Sequence, residues 1–195
     1  MDQILELARK EKVIRSRDLD RRGIPRVYLG QLQQRGLLKR IGRGMYVSSL
    51  TEFSQHHSLA EASKRVPQGI VCLMSALQFH ELTTQFPSEV WMALPQNAWT
   101  PRADWPPMRF CHFSGKAFES GIATHVVEGI DVRIYNPPKS VADCFKFRNK
   151  IGLDVATEAL KDCYRQRKAT MDELWHYAQI CRMNNVMKPY LEMLV

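Results

Sequence analysis

The sequence predicts an α+β protein made of a small basic N-terminal domain and a larger, nearly neutral C-terminal domain. The first observation behind this prediction is the charge distribution. Residues 1–50 contain twelve lysines and arginines against five acidic residues, and so carry +7 of the formal net charge of +8. The second is the hydrophobic pattern, which has helical spacing up to about residue 35 and then changes to short strand-like runs. A chain of 195 residues is long enough to bury a substantial core.

Three short helices are predicted within residues 1–50. Apolar residues at helical spacing place the first helix over about residues 2–10. Ser16 is predicted to cap a second helix, which Gly23 ends. Pro25 is expected at the first position of the third helix, because a helix start does not need the N–H that proline lacks. This helix is predicted to stop at Gly36.

The third helix is predicted to expose a face of small and amide side chains. Its apolar side, which should pack on the first two helices, consists of Tyr28, Leu29 and Leu32. The opposite side consists of Val27, Gly30, Gln31 and Gln34, with Arg26 near the N-terminal end. Glutamine and arginine can make paired hydrogen bonds to base edges in the DNA major groove, and small residues allow close approach. For a helix considered alone, solvated glutamines are the simpler interpretation.

The segment KRIGRGMYV, residues 39–47, is predicted to form a tight β-hairpin. Two strand-like runs, LLKRI and MYV, are joined by Gly42, Arg43 and Gly44. A phosphate-binding glycine loop would lead into a helix, whereas a strand follows here, so this alternative is excluded. Three helices followed by a basic hairpin form a winged helix-turn-helix, in which the third helix enters the major groove and the hairpin contacts the phosphate backbone.

The winged helix-turn-helix prediction assigns a role to nine residues. Base contacts are predicted for Arg26, Val27, Gln31 and Gln34. Phosphate contacts are predicted for Arg17, Arg35, Lys39, Arg40 and Arg43. The domain boundaries that follow are 1–50 for the DNA-binding domain, 51–58 for a polar linker and 59–195 for the C-terminal domain.

The C-terminal domain is predicted to contain a small mixed sheet followed by a helical tail. The strand-like runs are IVCLM, EVWMAL, MRFCHF, ATHVVE and DVRIY. Helices are predicted over about residues 140–150, 153–166, 171–181 and 185–194, with Pro189 starting or kinking the last one. Predicted capping pairs are Ser75 with Gln78, Ser140 with Asp143, and Thr170 with Glu173.

The sequence contains none of the common catalytic, nucleotide-binding or metalloprotease motifs, so we expect a protein that is not an enzyme and needs no cofactor or metal. The five cysteines are widely spaced and form no Cys-x-x-Cys pair, and we expect buried thiols in a reducing cytoplasm. No apolar run reaches membrane-spanning length, and the expected location is cytoplasmic. His80 lies on an apolar helix, where a structural role is the better interpretation.

One alternative from the enzyme class stays open. Asp131, Val132 and Arg133 resemble the acid-x-lysine element of metal-dependent nucleases, with Asp104 or Glu89 as a second carboxylate. Arginine substitutes poorly for the lysine because its guanidinium stays protonated. Basic residues also recur in the tail, where we interpret them as a solvated, ion-paired face or alternatively as a partner surface: Lys139, Lys146, Arg148, Lys150, Arg165, Arg167 and Lys168.

Residues 23–47, GIPRVYLGQLQQRGLLKRIGRGMYV, resemble the N-terminal winged helix of the AbiEi antitoxin family, with its arginine-rich turn and RGxY wing. Residues 75–85, SALQFHELTTQ, and residues 137–170, PPKSVADCFKFRNKIGLDVATEALKDCYRQRKAT, are similar to the same family. The resemblance implies a transcriptional autorepressor that binds inverted repeats in its own promoter. It also implies an antitoxin of a type IV toxin-antitoxin system, whose C-terminal domain counteracts a nucleotidyltransferase toxin without a tight complex.

The expected partner is therefore double-stranded DNA, with the nucleotidyltransferase toxin as a functional partner and no membrane. Two rival hypotheses remain. One is a nucleic-acid-processing enzyme that a winged helix targets to its substrate. The other is a scaffold whose winged helix binds protein, which would have little salt-dependent affinity for DNA.

Overall fold

The computed structural model describes residues 2–11, 13–42, 44–49, 54–101 and 105–194. The chain divides into two units, Met1–Ser54 and Gln55–Val195. Both units contain helices and a sheet, which confirms the predicted α+β class. Each unit also has a hydrophobic core of its own.

The first unit combines three helices with a three-stranded antiparallel sheet in the strand order β1-β3-β2. Its elements are α1 (Asp2–Glu11), β1 (Val13–Arg15), α2 (Ser16–Asp20), α3 (Val27–Gln34), β2 (Leu38–Gly42) and β3 (Met45–Ser48). The three predicted helices and the hairpin are therefore present. The core between the helices contains Ile4, Leu7, Ala8, Ile14, Leu19, Leu29, Leu32 and Leu38, with Tyr28 partly buried against it.

Two details of the helix starts differ from the sequence prediction. Ser16 does not cap α2 but is its first residue, and Arg15 occupies the cap position. The start of α2 is instead stabilised by the Asp18 carboxylate, which accepts a 2.9 Å hydrogen bond from the Arg15 N–H. Pro25 is not the first residue of α3, which begins at Val27; the Pro25 carbonyl accepts from the Tyr28 N–H at 3.3 Å in a turn that leads into the helix.

A glycine C-cap ends α3 and directs the chain into β2. Gly36 has a φ of +70°. Its N–H donates to the Gln33 carbonyl at 3.0 Å, and the next N–H, of Leu37, donates to the Leu32 carbonyl at 2.9 Å. This Schellman arrangement satisfies carbonyls that the helix end would otherwise leave unpaired. Because only Gly36 and Leu37 separate Arg35 from β2, the helix and the hairpin are held as direct neighbours.

Backbone hydrogen bonds anchor the hairpin to the beginning of α2. The Gly44 carbonyl accepts from the Ser16 N–H at 2.8 Å and from the Ser16 hydroxyl at 3.2 Å. Gly44 has a φ of +69°, which agrees with the prediction that glycine makes the turn. Ser16 therefore fixes the hairpin rather than the helix start. Arg43 lies outside the described residues.

The second unit contains a mixed five-stranded sheet in the order β6-β5-β4-β8-β7. Its strands are β4 (Ile70–Val71), β5 (Val90–Pro95), β6 (Met108–Phe113), β7 (Ile122–Val127) and β8 (Ile130–Tyr135). Its helices are α4 (His57–Arg65), α5 (Leu73–Phe79), α6 (Lys116–Glu119), α7 (Pro137–Lys146), α8 (Arg148–Ile151), α9 (Leu153–Arg165), α10 (Met171–Ile180) and α11 (Asn184–Glu192). The predicted mixed sheet and helical tail are thus present.

Both faces of the sheet are covered, which explains the almost continuous apolar sequence of β5. Trp91 and Ala93 belong to the core shared with α5, α7, α9, α10 and α11. Val90, Met92 and Leu94 belong to the second core, on the side of α4. The alternation follows from the two-residue period of a strand. All five cysteines are free and buried, as the sequence predicts.

Several boundaries and caps differ from the sequence prediction. The run IVCLM becomes the two-residue strand β4 followed directly by α5, and α4 begins at His57, within the predicted linker segment. Ser75 does not cap α5 but lies inside it, where its hydroxyl accepts from the Trp91 N–H at 2.9 Å. Thr170 and Glu173 form the predicted capping box on α10, and Pro189 lies inside α11.

The predicted capping pair Ser140–Asp143 is wrong. The proline pair that opens α7 starts the helix three residues earlier, and Asn136 caps it by accepting from the Lys139 N–H at 3.1 Å. Ser140 is consequently buried one turn inside the helix, where its hydroxyl donates to the Tyr135 carbonyl at 3.0 Å.

A fully buried ion pair lies in the core of the second unit. Lys139 and Asp143, one turn apart on α7, both have no exposed side-chain surface, and the ammonium lies 2.5 and 2.6 Å from the two carboxylate oxygens. The Cys181 thiol donates to the same carboxylate at 3.3 Å. Burial raises the pKa of Asp143, and the neighbouring Lys139 ammonium opposes that effect. The interpretation of Lys139 as a solvated surface residue is therefore wrong.

We expect Gly44→Ala to destabilise the first unit by about 1–2 kcal/mol, because a side chain strains the left-handed backbone. The added Cβ would also lie 3.1 Å from the Ser16 hydroxyl oxygen. Amide hydrogen exchange in β2 and β3 should become about tenfold faster. Gly30→Ala is the matched control, since its Cβ meets no atom within 4 Å and its backbone is helical. Equal exchange rates in both variants would contradict the assigned role of Gly44.

We expect Lys139→Met to destabilise the second unit by about 3–5 kcal/mol, because it leaves the Asp143 carboxylate buried without its partner. The double variant Lys139→Met/Asp143→Leu should recover most of that loss, since a hydrophobic pair of similar volume carries no desolvation penalty. Urea unfolding followed by tryptophan fluorescence measures this unit selectively, because all four tryptophans lie in it. Equal destabilisation by the single and double variants would contradict the ion-pair explanation.

Candidate nucleic-acid interface

The exposed face of α3 has the composition that the sequence predicts. Val27 is 61% exposed, and Gly30, Gln31 and Gln34 are also exposed. A Cβ placed on Gly30 meets no atom within 4 Å, so the backbone of α3 is open to solvent there. Leu29 and Leu32 are buried on the opposite side. The two amide side chains are thus available to an external partner, and they are not needed for packing.

Basic residues from three neighbouring elements accompany this face. Arg17 lies on α2, Arg35 caps the C-terminus of α3, and Lys39 and Arg40 lie on β2; all four are exposed. Lys39 is paired in register with Val47 of β3, and Arg40 with Tyr46. Because successive strand residues point to opposite sides, Lys39 and Arg40 extend from different faces of the hairpin. The remaining predicted phosphate contact, Arg43, falls outside the described residues.

Arg26 has a partner that sequence reasoning missed. Its Nε donates to Asp20 Oδ1 at 2.8 Å, and its Nη2 donates to Asp20 Oδ2 in a second hydrogen bond. These bonds lower the pKa of Asp20 and raise that of Arg26. The two residues are six apart, and the turn around Gly23 and Pro25 brings them together. No helical i, i+4 spacing could therefore have predicted the pair. Asp20 holds the guanidinium at the N-terminal end of α3.

In the second unit, two of the residues considered for catalysis, His80 and Glu89, have ordinary structural contacts. His80 Nε2 lies 2.8 Å from the Tyr135 carbonyl oxygen, which confirms the structural role predicted for it, and burial lowers the pKa of His80. Asp131 is exposed on β8, and Glu89 forms a 2.8 Å ion pair with Arg109. Asp104 lies outside the described residues.

The described residues contain no group of three or more His, Cys, Asp or Glu side chains that could hold a metal ion. The basic residues of the tail have mixed environments. Arg165 pairs with Asp162 at 2.8 Å, and Lys168 lies 3.7 Å from Glu81, as expected of an ion-paired face. Arg148 instead donates to the Phe145 carbonyl at 2.9 Å.

Within the part of the chain that the structure describes, no helix is both long and apolar enough to cross a bilayer. No curated protein sequence matches this chain. The segments 75–85 and 137–170, which resemble the AbiEi antitoxins, lie outside the residues of the family match. Residues 2–49, which span α1 to β3, match the family described as "Transcriptional regulator, AbiEi antitoxin", and this confirms the resemblance for the N-terminal part of the chain.

Proposed function

We propose that this chain is a DNA-binding autorepressor and the antitoxin of a type IV toxin-antitoxin system, with residues 1–50 acting as a winged helix-turn-helix. One observation carries the proposal. The segment that matches a family of transcriptional regulators folds in the order α1-β1-α2-α3-β2-β3 and exposes an amide-bearing helix face beside a basic hairpin. Double-stranded DNA is the partner that this combination fits.

In the proposed complex, α3 enters the major groove. Gln31 and Gln34 are exposed and can each make paired hydrogen bonds to an adenine, and Val27 can contact a thymine methyl group. Gly30 lets the helix backbone approach the base edges closely. Arg26, held by Asp20 at the N-terminal end of α3, still has guanidinium donors for a guanine.

The phosphate contacts in the proposed complex come from residues that flank the helix. These are Arg17, Arg35, Lys39, Arg40 and Arg43. Such contacts position the protein without reading the base sequence. Because neutralised phosphates release counterions, the affinity should fall steeply as the salt concentration rises.

The antitoxin part of the proposal belongs to residues 59–195 and is supported by the resemblance and by the family match at the N-terminus. The target would be a nucleotidyltransferase toxin encoded beside this protein, counteracted without a tight complex. Among the residues that the structure describes, no group of three or more His, Cys, Asp or Glu side chains could hold a metal ion, so no observation favours the nuclease alternative. The nuclease hypothesis would be supported if the protein cleaves DNA or RNA in Mg²⁺ and if Asp131→Ala abolishes that cleavage.

We expect Gln31→Ala and Lys39→Ala to weaken DNA binding in different ways. Gln31→Ala should cost about 1–3 kcal/mol of discrimination at one base pair and leave binding to scrambled DNA unchanged. Lys39→Ala should weaken binding to all sequences alike and reduce the salt slope by about 1. Fluorescence anisotropy on duplexes from the region upstream of the gene, at several salt concentrations, measures both effects. If neither variant differs from the exposed control Lys161→Ala, the docking arrangement is wrong.

We expect substitutions in the DNA-binding face to abolish repression and to leave antitoxin activity unchanged. When the double variant Gln31→Ala/Lys39→Ala is produced from an unrelated promoter together with the nucleotidyltransferase, cells should still grow, because residues 59–195 are unchanged. A reporter under the natural promoter should be derepressed in the same cells. With protein levels matched by immunoblot, loss of growth protection would contradict the proposed division between the two parts of the chain.

A further inference from the structure

A cavity of about 580 Å³ in the second unit is lined by three cationic side chains from three different elements. Lys116 is the first residue of α6, Lys146 is the last residue of α7, and Arg182 follows the end of α10. Ser114 and Gln179 add a hydroxyl and an amide to the lining. The cavity therefore concentrates positive charge and hydrogen-bond donors in one place.

The described lining of this cavity contains no acidic residue. None of the three cations forms an ion pair with any described residue, whereas Arg109 and Arg165 pair with carboxylates elsewhere in the same unit. Residues 51–195 contain sixteen basic and fifteen acidic residues, so the cavity is not one part of a generally basic domain. Three like charges that line one cavity repel one another, and although the buried Asp143 carboxylate attracts Lys146, a bound anion would oppose the repulsion among all three.

The buried Lys139–Asp143 pair contacts residues that neighbour part of the cavity lining. Asp143 precedes Lys146 by one turn of α7 and accepts from Cys181, the residue before Arg182. The Phe113 ring, at the end of β6 and just before Ser114, lies 5.1 Å from the Lys139 ammonium and 5.9 Å from that of Lys146. The backbone positions of Lys146 and Arg182 are therefore set by the packed core.

Arg182 closes α10 in a left-handed conformation, as Glu81 and Arg167 close α5 and α9. Its φ is +59°, a left-handed conformation in which glycine normally closes a helix. The Arg182 N–H donates to the Gln179 carbonyl at 3.0 Å, and the Met183 N–H donates to that of Ala178 at 2.7 Å, which forms the same Schellman closure seen at α3. An arginine thus occupies a position where the backbone alone would favour glycine.

We propose that this cavity binds a polyphosphate, meaning two or more linked phosphate groups, either inorganic or as the phosphate tail of a nucleotide. The guanidinium of Arg182 can bind two phosphate oxygens at once, and the lysines act as point charges on the remaining oxygens. The cavity volume lies in the range of small-molecule sites, which is about 300–1,000 Å³. This inference goes beyond the proposed function, since neither repression nor antitoxin activity assigns a ligand to the second unit.

Isothermal titration calorimetry of the full chain with inorganic tripolyphosphate tests the proposal. Lys146→Gln and Arg182→Gln should each weaken binding about tenfold, because each removes one charge-assisted contact. Lys161→Gln, on the exposed surface of α9, is the matched control and should bind like the unchanged protein. Tripolyphosphate should also raise the thermal midpoint reported by tryptophan fluorescence, because it would bind the folded second unit in preference to the unfolded chain.

Lys39→Gln controls for the basic first unit, which could attract the same anion. The proposal is overturned if Lys39→Gln or Lys161→Gln weakens binding as much as the cavity variants do, or if tripolyphosphate does not bind at millimolar concentration. ATP and GTP distinguish the two sources of the ligand. If ATP or GTP binds more tightly than tripolyphosphate, the ligand is a nucleotide. If both bind equally tightly or more weakly, the cavity recognises only the polyphosphate group.

Discussion

The buried ion pair between Lys139 and Asp143 is the interaction on which most of the second unit depends. It lies on α7, which packs against α5, α9, α10 and α11. Two opposite charges without solvent are stable only when their hydrogen bonds are satisfied. Here the ammonium contacts both carboxylate oxygens and lies 4.0 Å from the centre of the Tyr135 ring, while Cys181 donates to the carboxylate. The need to satisfy the hydrogen bonds of both buried charges fixes how α7, β8 and α10 pack together.

The first unit has a different kind of constraint, because backbone hydrogen bonds rather than charges set its geometry. The glycine closure at Gly36 leads α3 directly into β2, and the Ser16–Gly44 contacts attach the hairpin to α2. The exposed face of α3 contributes little to this framework. Gln31 and Gln34 can therefore vary to suit a binding partner without loss of the fold, as expected of residues that confer specificity.

The two units differ in how their cores are built and in the net charge that they carry. The core of the first unit lies among three short helices, and its surface carries most of the net charge. The second unit covers both faces of a mixed sheet and is nearly neutral, and three of its cations that form no described ion pair line one cavity. A polyanion is thus the ligand class that we propose for both units, attracted by the high net charge of the first and by the cavity cations of the second.

The sequence by itself determined the charge segregation, the hairpin, the exposed side of α3, the four longer strands and the helical tail, because these follow from local periodicity and turn residues. Predictions from the sequence were wrong where contacts made in the folded structure determine the partner or the burial of a side chain. Ser16, Ser75 and Ser140 look like helix caps, yet tertiary contacts assign their hydroxyls to other partners. From the sequence alone, Lys139 is interpreted as a solvated surface residue, and Arg26 as a base contact at the exposed end of α3. Only the fold decided their environments, because it buries the Lys139–Asp143 pair, whose members lie one turn apart on α7, and because the turn after α2 brings Arg26 to Asp20.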